Sequence, residues 1–234
     1  MGGYRCCVVR RLFSPGSKPE DAAEGEPEAA ARLRGIDRQV IQLFALVEEA
    51  VAGATHALLV GDREAARALV AKDVELDALY RVLQSQVHQL VMDGGLSANR
   101  TRWLLALLSM LPELERSGDL AEHVAQRATR SLPAEMPARV RGFIEAMGEV
   151  ACRMWKMAAD AYADRASAEA RIDSLDDVLD DLHVQLIAEI AGGSVTVPVA
   201  IELALVGRFY ERLGDHAVNI TRRVPRHLRS EALS

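Results

Sequence analysis

The chain carries one helical phrase twice, ELERSGDLAEHV at residues 113–124 and FYERLGDHAVNI at residues 209–220, and this repetition constrains its fold more than any other feature. Both copies share E-R-x-G-D, so Glu115 with Asp119, and Glu211 with Asp215, stand four residues apart. On a helix such a pair points the same way, about 6 Å apart along the axis. Two like charges so placed repel by roughly a few tenths of a kcal/mol, and the glycine between them, Gly118 or Gly214, costs the helix roughly 1 kcal/mol against Ala. A mid-helix glycine marks a close approach of another element to the backbone. Both penalties recur at matching places, which points to a use for them.

The rest of the chain repeats in the same order. The spacing predicts a helix over 37–60, with Val40, Leu43, Phe44, Val47, Val51, Ala54 and Leu58 on one face, ended by Gly61. Asp62 caps a second helix over 63–92, and Ser97 a third of about thirty residues, loosened near Pro112. Residues 131–137 form a joint, after which helices follow over 138–163, 167–191 and, with Pro198 in its first turn, to Arg223. Offsets drift only slightly: Asp73 to Asp173 is 173 − 73 = 100, Gly94 to Gly192 is 98, and Glu115 to Glu211 is 96. The expected fold class is therefore all-α, two tandem three-helix bundles from an internal duplication, at residues 36–133 and 134–229. Residues 1–35, with Pro15, Pro19, Pro27 and the run EDAAEGEPE, read as a disordered N-terminal extension.

Composition narrows the function. Only 4% of residues are aromatic, which favours helices over sheets, and a net charge of −6 offers no basic face for direct contact with nucleic acid. Cys6, Cys7 and Cys152 have neither zinc spacing nor a disulfide pattern, as expected of a cytoplasmic protein. The longest apolar run, near 103–111, is about half of the ~18 residues a membrane span requires, so no membrane insertion is expected. Nothing pairs a nucleophile with a base, and there is no glycine-rich phosphate loop, so the chain reads as a non-enzyme.

The chemistry-bearing residues are acidic. KDVELD places Asp73 with Asp77 on the second helix, and IDSLDDVLDD places Asp173 with Asp177 on the fifth. In a three-helix bundle the second and third helices run antiparallel, so the two acidic pairs of each half can meet. Four carboxylates together suit hard or borderline cations, iron, zinc, manganese, magnesium or calcium. A single such pair is what any solvated helix face looks like; four in register with two repeated glycines point to metal sites. Glu211 and Asp215 lie opposite the stripe Val206, Phe209, Leu213, Ala217 and Ile220, which puts the metal on an outer face. The first copy has Glu113 and Ser117 where the second has Phe209 and Leu213, so the second site is expected to be the stronger. His123, one turn beyond Asp119, is a further candidate, with a surface role as its simpler reading.

The second copy, RFYERLGDHAVNITRRV, and less fully LERSGDLAEHV, resemble the PhoU family over about residues 36–229. The resemblance implies metal ligands at Asp73, Asp77, Glu115 and Asp119, and at Asp173, Asp177, Glu211 and Asp215, holding divalent or trivalent ions. It also implies a cytoplasmic negative regulator of phosphate uptake and phosphate-starvation signalling. Its partners would be the nucleotide-binding subunit of a phosphate ABC transporter and a membrane sensor histidine kinase, and it would form a homodimer. Two rival readings are a helical adaptor for a different transporter and a di-metal carboxylate oxidase. The oxidase wants two inward Glu-x-x-His motifs, and only Asp180 with His183 comes near.

Overall fold

The computed structural model describes residues 19–130, 132–163, 169–223 and 232–233, and every regular element among them is helical. In chain order these are α1 (Pro19–Val60), α2 (Arg63–Asp93), α3 (Ala98–Ala128), a single turn α4 (Leu132–Glu135), α5 (Ala138–Tyr162), α6 (Glu169–Ala191) and α7 (Val197–Arg223). The punctuation works as its chemistry dictates. Gly61 takes the turn between α1 and α2 at φ +74°, and the Asp62 carboxylate accepts from the N–H groups of Glu64 (3.0 Å) and Ala65 (2.9 Å). Ser97 accepts from the N–H of Arg100 at the start of α3.

Three local expectations change. Helix α1 begins at Pro19, well inside the stretch read as disordered, because the helix-forming run AAARLR carries the Val40 stripe back through Ile36 to a fully buried Leu33. Residues 1–18 lie outside the described chain. Pro112 is accommodated inside a continuous α3, and the joint at 131–137 holds the extra turn α4, with Leu132 buried.

The two halves are not separate bodies. Helices α1, α3, α7 and α5 pack in a ring, each against the next, while α2 lies outside α1 and α3, and α6 lies outside α5 and α7. One continuous apolar core runs through all of them. Helices α1 and α5 cross antiparallel: Tyr162 donates to Asp37 at one end, Phe44 meets Trp155 further along, and Gly148 faces Thr55. A Cβ on Gly148 would stand 2.3 Å from Thr55 Cγ2, so only glycine lets these helices approach as they do. Helices α3 and α7 are antiparallel too. Their seam holds Ser117 Oγ 2.9 Å from His216 Nδ1, with Glu113 bound by Arg223 at 2.8 Å; all but Arg223 are buried. Buried charge is tolerated here because it is paired.

By length and composition alone, Glu28–Val60 is apolar enough to cross a membrane. Its apolar residues are not consecutive but fall on one face, and that face, from Leu33 through Val40, Leu43 and Val47 to Leu58, is buried against the other ring helices. It is a core helix of the bundle.

Candidate metal centres

Each half presents one acidic seam, where its outer helix meets its last helix. In the first half the seam lies between α2 and α3, and Asp73, Asp77, Glu115 and Asp119 are all half-buried along it. Carboxylate oxygens of Asp73, Asp77 and Asp119 lie within 4.8 Å of one another, the spacing that oxygen ligands of one cation adopt. Glu115 is the next member rather than part of that trio. Gly118 leaves room for the meeting: a Cβ there would stand 2.7 Å from Leu76 Cδ1 and 3.3 Å from Asp73 Oδ1, so a larger residue would force these side chains to shift. The crowding registers in the proton affinities. Burial, then the charges of Glu122, Asp119, Asp77 and Glu115, raise the Asp73 carboxyl to about 6. Burial and the neighbouring acids also raise Glu115 and Asp119. Glu122 belongs to this face although the repeat does not point to it. Among the described residues, the cation bonded within the cluster is Arg81, 2.6 Å from Asp77.

In the second half the equivalent residues differ from those read off the sequence. A Cβ on Gly214 would stand 2.6 Å from Leu179 Cδ2 and 3.1 Å from Asp176 Oδ1, the same pair of neighbours that Gly118 has in Leu76 and Asp73. The offset on this helix is thus 179 − 76 = 176 − 73 = 103, not 100, and the counterparts of Asp73 and Asp77 are Asp176 and Asp180. Burial, then Asp180 and Asp215, raise Asp176 to about 6, and Glu211 is raised by burial with Asp215 and Asp180 adding to it. Asp173 lies one turn away in an ion pair with Arg222 at 3.0 Å, and Asp177, like Asp180, is exposed. The signal was present in the apolar stripe: Leu76, Leu83 and Val87 recur as Leu179, Leu186 and Ile190, each 103 residues on.

The acids gather more closely in the first half than in the second, the half that the sequence favours. Among the described residues no three acids of the second face come as close as the first trio; Asp215 is exposed and Glu211 is engaged by Arg208. Glu113 and Ser117, where the first copy departs from the second, point into the α3–α7 seam and take no part in the acidic face. His123 is exposed and stacks toward Phe209, 5.4 Å between rings, while favouring the charged form of Asp119.

These seams make stability depend on pH in an uncommon direction. Asp73 and Asp176 titrate near 6 in the fold against 3.8 in a free chain, so the folded state binds more protons between these values. Stability then falls as pH rises through that window. Both groups are partly solvated, and screening trims each contribution to about 1 kcal/mol. Metal-free protein is expected to melt higher at pH 5.5 than at 7.5, with Asp73→Asn flattening the difference. A melting temperature that falls on acidification, with the same slope in the variant, contradicts the coupled cluster.

A sequence profile of the PhoU domain matches the chain twice, at residues 40–128 and 144–224. The chain is 30% identical over 197 residues to the phosphate-specific transport system accessory protein PhoU homolog 1 of Mycobacterium tuberculosis, covering 82% of this chain and 89% of that one. It is 27% identical over 207 residues to the PhoU homolog of Caulobacter vibrioides, covering 86% and 90%. In fold it is similar to the crystal structure of PhoU from Pseudomonas aeruginosa, with a TM-score of 0.77 at 24% identity over 83% of this chain and 95% of that one. PhoU from Streptococcus pneumoniae gives a TM-score of 0.72 at 20% identity, over 88% and 99%.

Proposed function

The chain belongs to the PhoU family, and on that premise we propose that it is an accessory protein of a phosphate-specific transport system, a negative regulator and not an enzyme. In this reading it works in the cytoplasm as a homodimer. It links the nucleotide-binding subunit of a phosphate ABC transporter to a membrane sensor histidine kinase, damping uptake and the starvation response when phosphate is plentiful. The domain profile across both halves supports the role, as does the name carried by relatives that align over most of their length.

Metal ions complete the proposal. Asp73, Asp77 and Asp119, with Glu115 beside them, would hold a cation on the first face; Asp176, Asp180, Glu211 and Asp215, with Asp173 and Asp177 one turn out, would hold one on the second. The observation that carries this is the meeting of the Asp73, Asp77 and Asp119 oxygens. A bound cation supplies the positive charge these carboxylates lack. Asp73 and Asp176 give up their protons near pH 6, and with a cation bound the carboxylates fix α2 against α3 and α6 against α7 and make two strongly negative strips much less so. A strip with most of its charge offset is a surface on which a protein partner can dock.

The test is binding of the purified chain to the immobilised nucleotide-binding subunit of its host's phosphate transporter. Binding that requires a divalent or trivalent cation and is reversed by chelator is the expected result. Failure to bind that subunit and the kinase's cytoplasmic part, with every cation tried, contradicts the proposal.

A further inference from the structure

The end of the molecule where α1 turns into α2 carries charge of the opposite sign. Arg63 at the start of α2, Arg130 just past α3 and Arg141 in the first turn of α5 line a recess of about 270 Å³, with Gly61 and Pro133 among its other walls. The partners these side chains find inside the protein are mainly backbone. Arg141 donates to the carbonyls of Leu59 and, at 2.6 Å, Pro133; Arg63 donates to the carbonyl of Arg130 at 3.5 Å. Arg130 meets a carboxylate, Glu202 at 2.7 Å, but Arg127 shares the same group at 3.2 Å. Among the described residues no carboxylate lies within 4.0 Å of the guanidinium of Arg63 or Arg141. The adjacent Asp62 spends its carboxylate on the N–H groups of Glu64 and Ala65.

Three guanidiniums facing one recess repel each other, and a single shared carboxylate leaves most of that charge unanswered. Each offers five N–H donors in a planar fork, of which the bonds above use one or two. Carbonyl partners fix the forks in place without neutralising them. Such an arrangement favours an acceptor that brings full negative charge and several oxygens at once.

We propose that this recess is an oxyanion site that takes a small tetrahedral anion of the phosphate class, inorganic phosphate or a phosphate monoester. It is separate from the carboxylate seams, since Arg63 precedes Asp73 by ten residues of α2 (73 − 63 = 10), about 15 Å of helix. The acidic seams repel the same anion, so the arginine recess is where a chain of net charge −6 can accept one. An anion held there bridges α2 of the first half, the segment after α3, and α5 of the second half.

Calorimetric titration of the full chain, stripped of metal by chelator so that no cation on the carboxylates can capture the anion, tests this independently of the accessory role. Inorganic phosphate and glycerol 3-phosphate are the two probes. Saturable binding with a Kd of about 1 mM or tighter, weakening with added salt, is expected. Binding of both probes assigns the site to phosphate groups in general, and binding of phosphate alone assigns it to the free ion. Arg63 and Arg130 are both exposed, so the Arg63→Ala/Arg130→Ala variant should keep its anion-free melting temperature while losing at least about tenfold in affinity. Arg141→Lys, which keeps a cation at the two carbonyls but loses the fork, should also bind more weakly. Binding of neither probe, or equal binding by wild type and both variants, overturns the proposal.

Discussion

Replacing Asp73 and Asp119 together by Asn is expected to abolish metal binding on the α2–α3 face while leaving the helices intact. These two side chains supply two of the three oxygens that meet within 4.8 Å. An Asn offers a neutral carbonyl of the same shape, and hard cations gain their affinity from the number of charged oxygens around them. Leaving Asp77 alone in the trio, itself held by Arg81, should weaken binding by at least about a hundredfold. The same change relieves the mutual repulsion that raises Asp73 and Asp119, so the metal-free variant should be as stable as the parent, or more stable by about 1 kcal/mol after screening. Elemental analysis after equilibration with iron, zinc, manganese, magnesium or calcium reads the first effect, and melting curves read the second. Two further pairs locate the second site: Asp176→Asn with Asp180→Asn should empty it, and Asp173→Asn with Asp177→Asn should leave most of the metal in place. Undiminished metal in the Asp73→Asn/Asp119→Asn protein would mean that the cluster is only a solvated face.

Much of this was legible before any coordinates. The repeated E-R-x-G-D named the third helix of each half and its two carboxylates, and the caps at Asp62 and Ser97 fixed helix starts to within a residue. Gly118 and Gly214 announced close approach, and α2 and α6 do crowd them. The second helix of the second half was harder. DSLDDVLDD contains acids at 173, 176, 177, 180 and 181, so three i,i+4 pairs fit the same pattern, and spacing along one helix does not say which faces α7. Contact between helices decides it, through Leu179 against Gly214. The roles of Glu113 and Ser117 were hidden for a similar reason. Their partners His216 and Arg223 lie about a hundred residues away, across a seam that exists only because the two bundles share one core.

Whether the chain restrains phosphate uptake through these acidic faces is read in its own host, from phosphate uptake itself. The strain should lack this gene and any second copy of the family, and it should be grown in rich phosphate. Uptake and starvation-gene expression should be switched on despite the supply. The wild-type gene should restore control; a gene carrying Asp73→Asn and Asp119→Asn together with Asp176→Asn and Asp180→Asn should not, although its product folds. Phosphate uptake unchanged by the deletion would contradict the claim and favour an adaptor serving a different transporter.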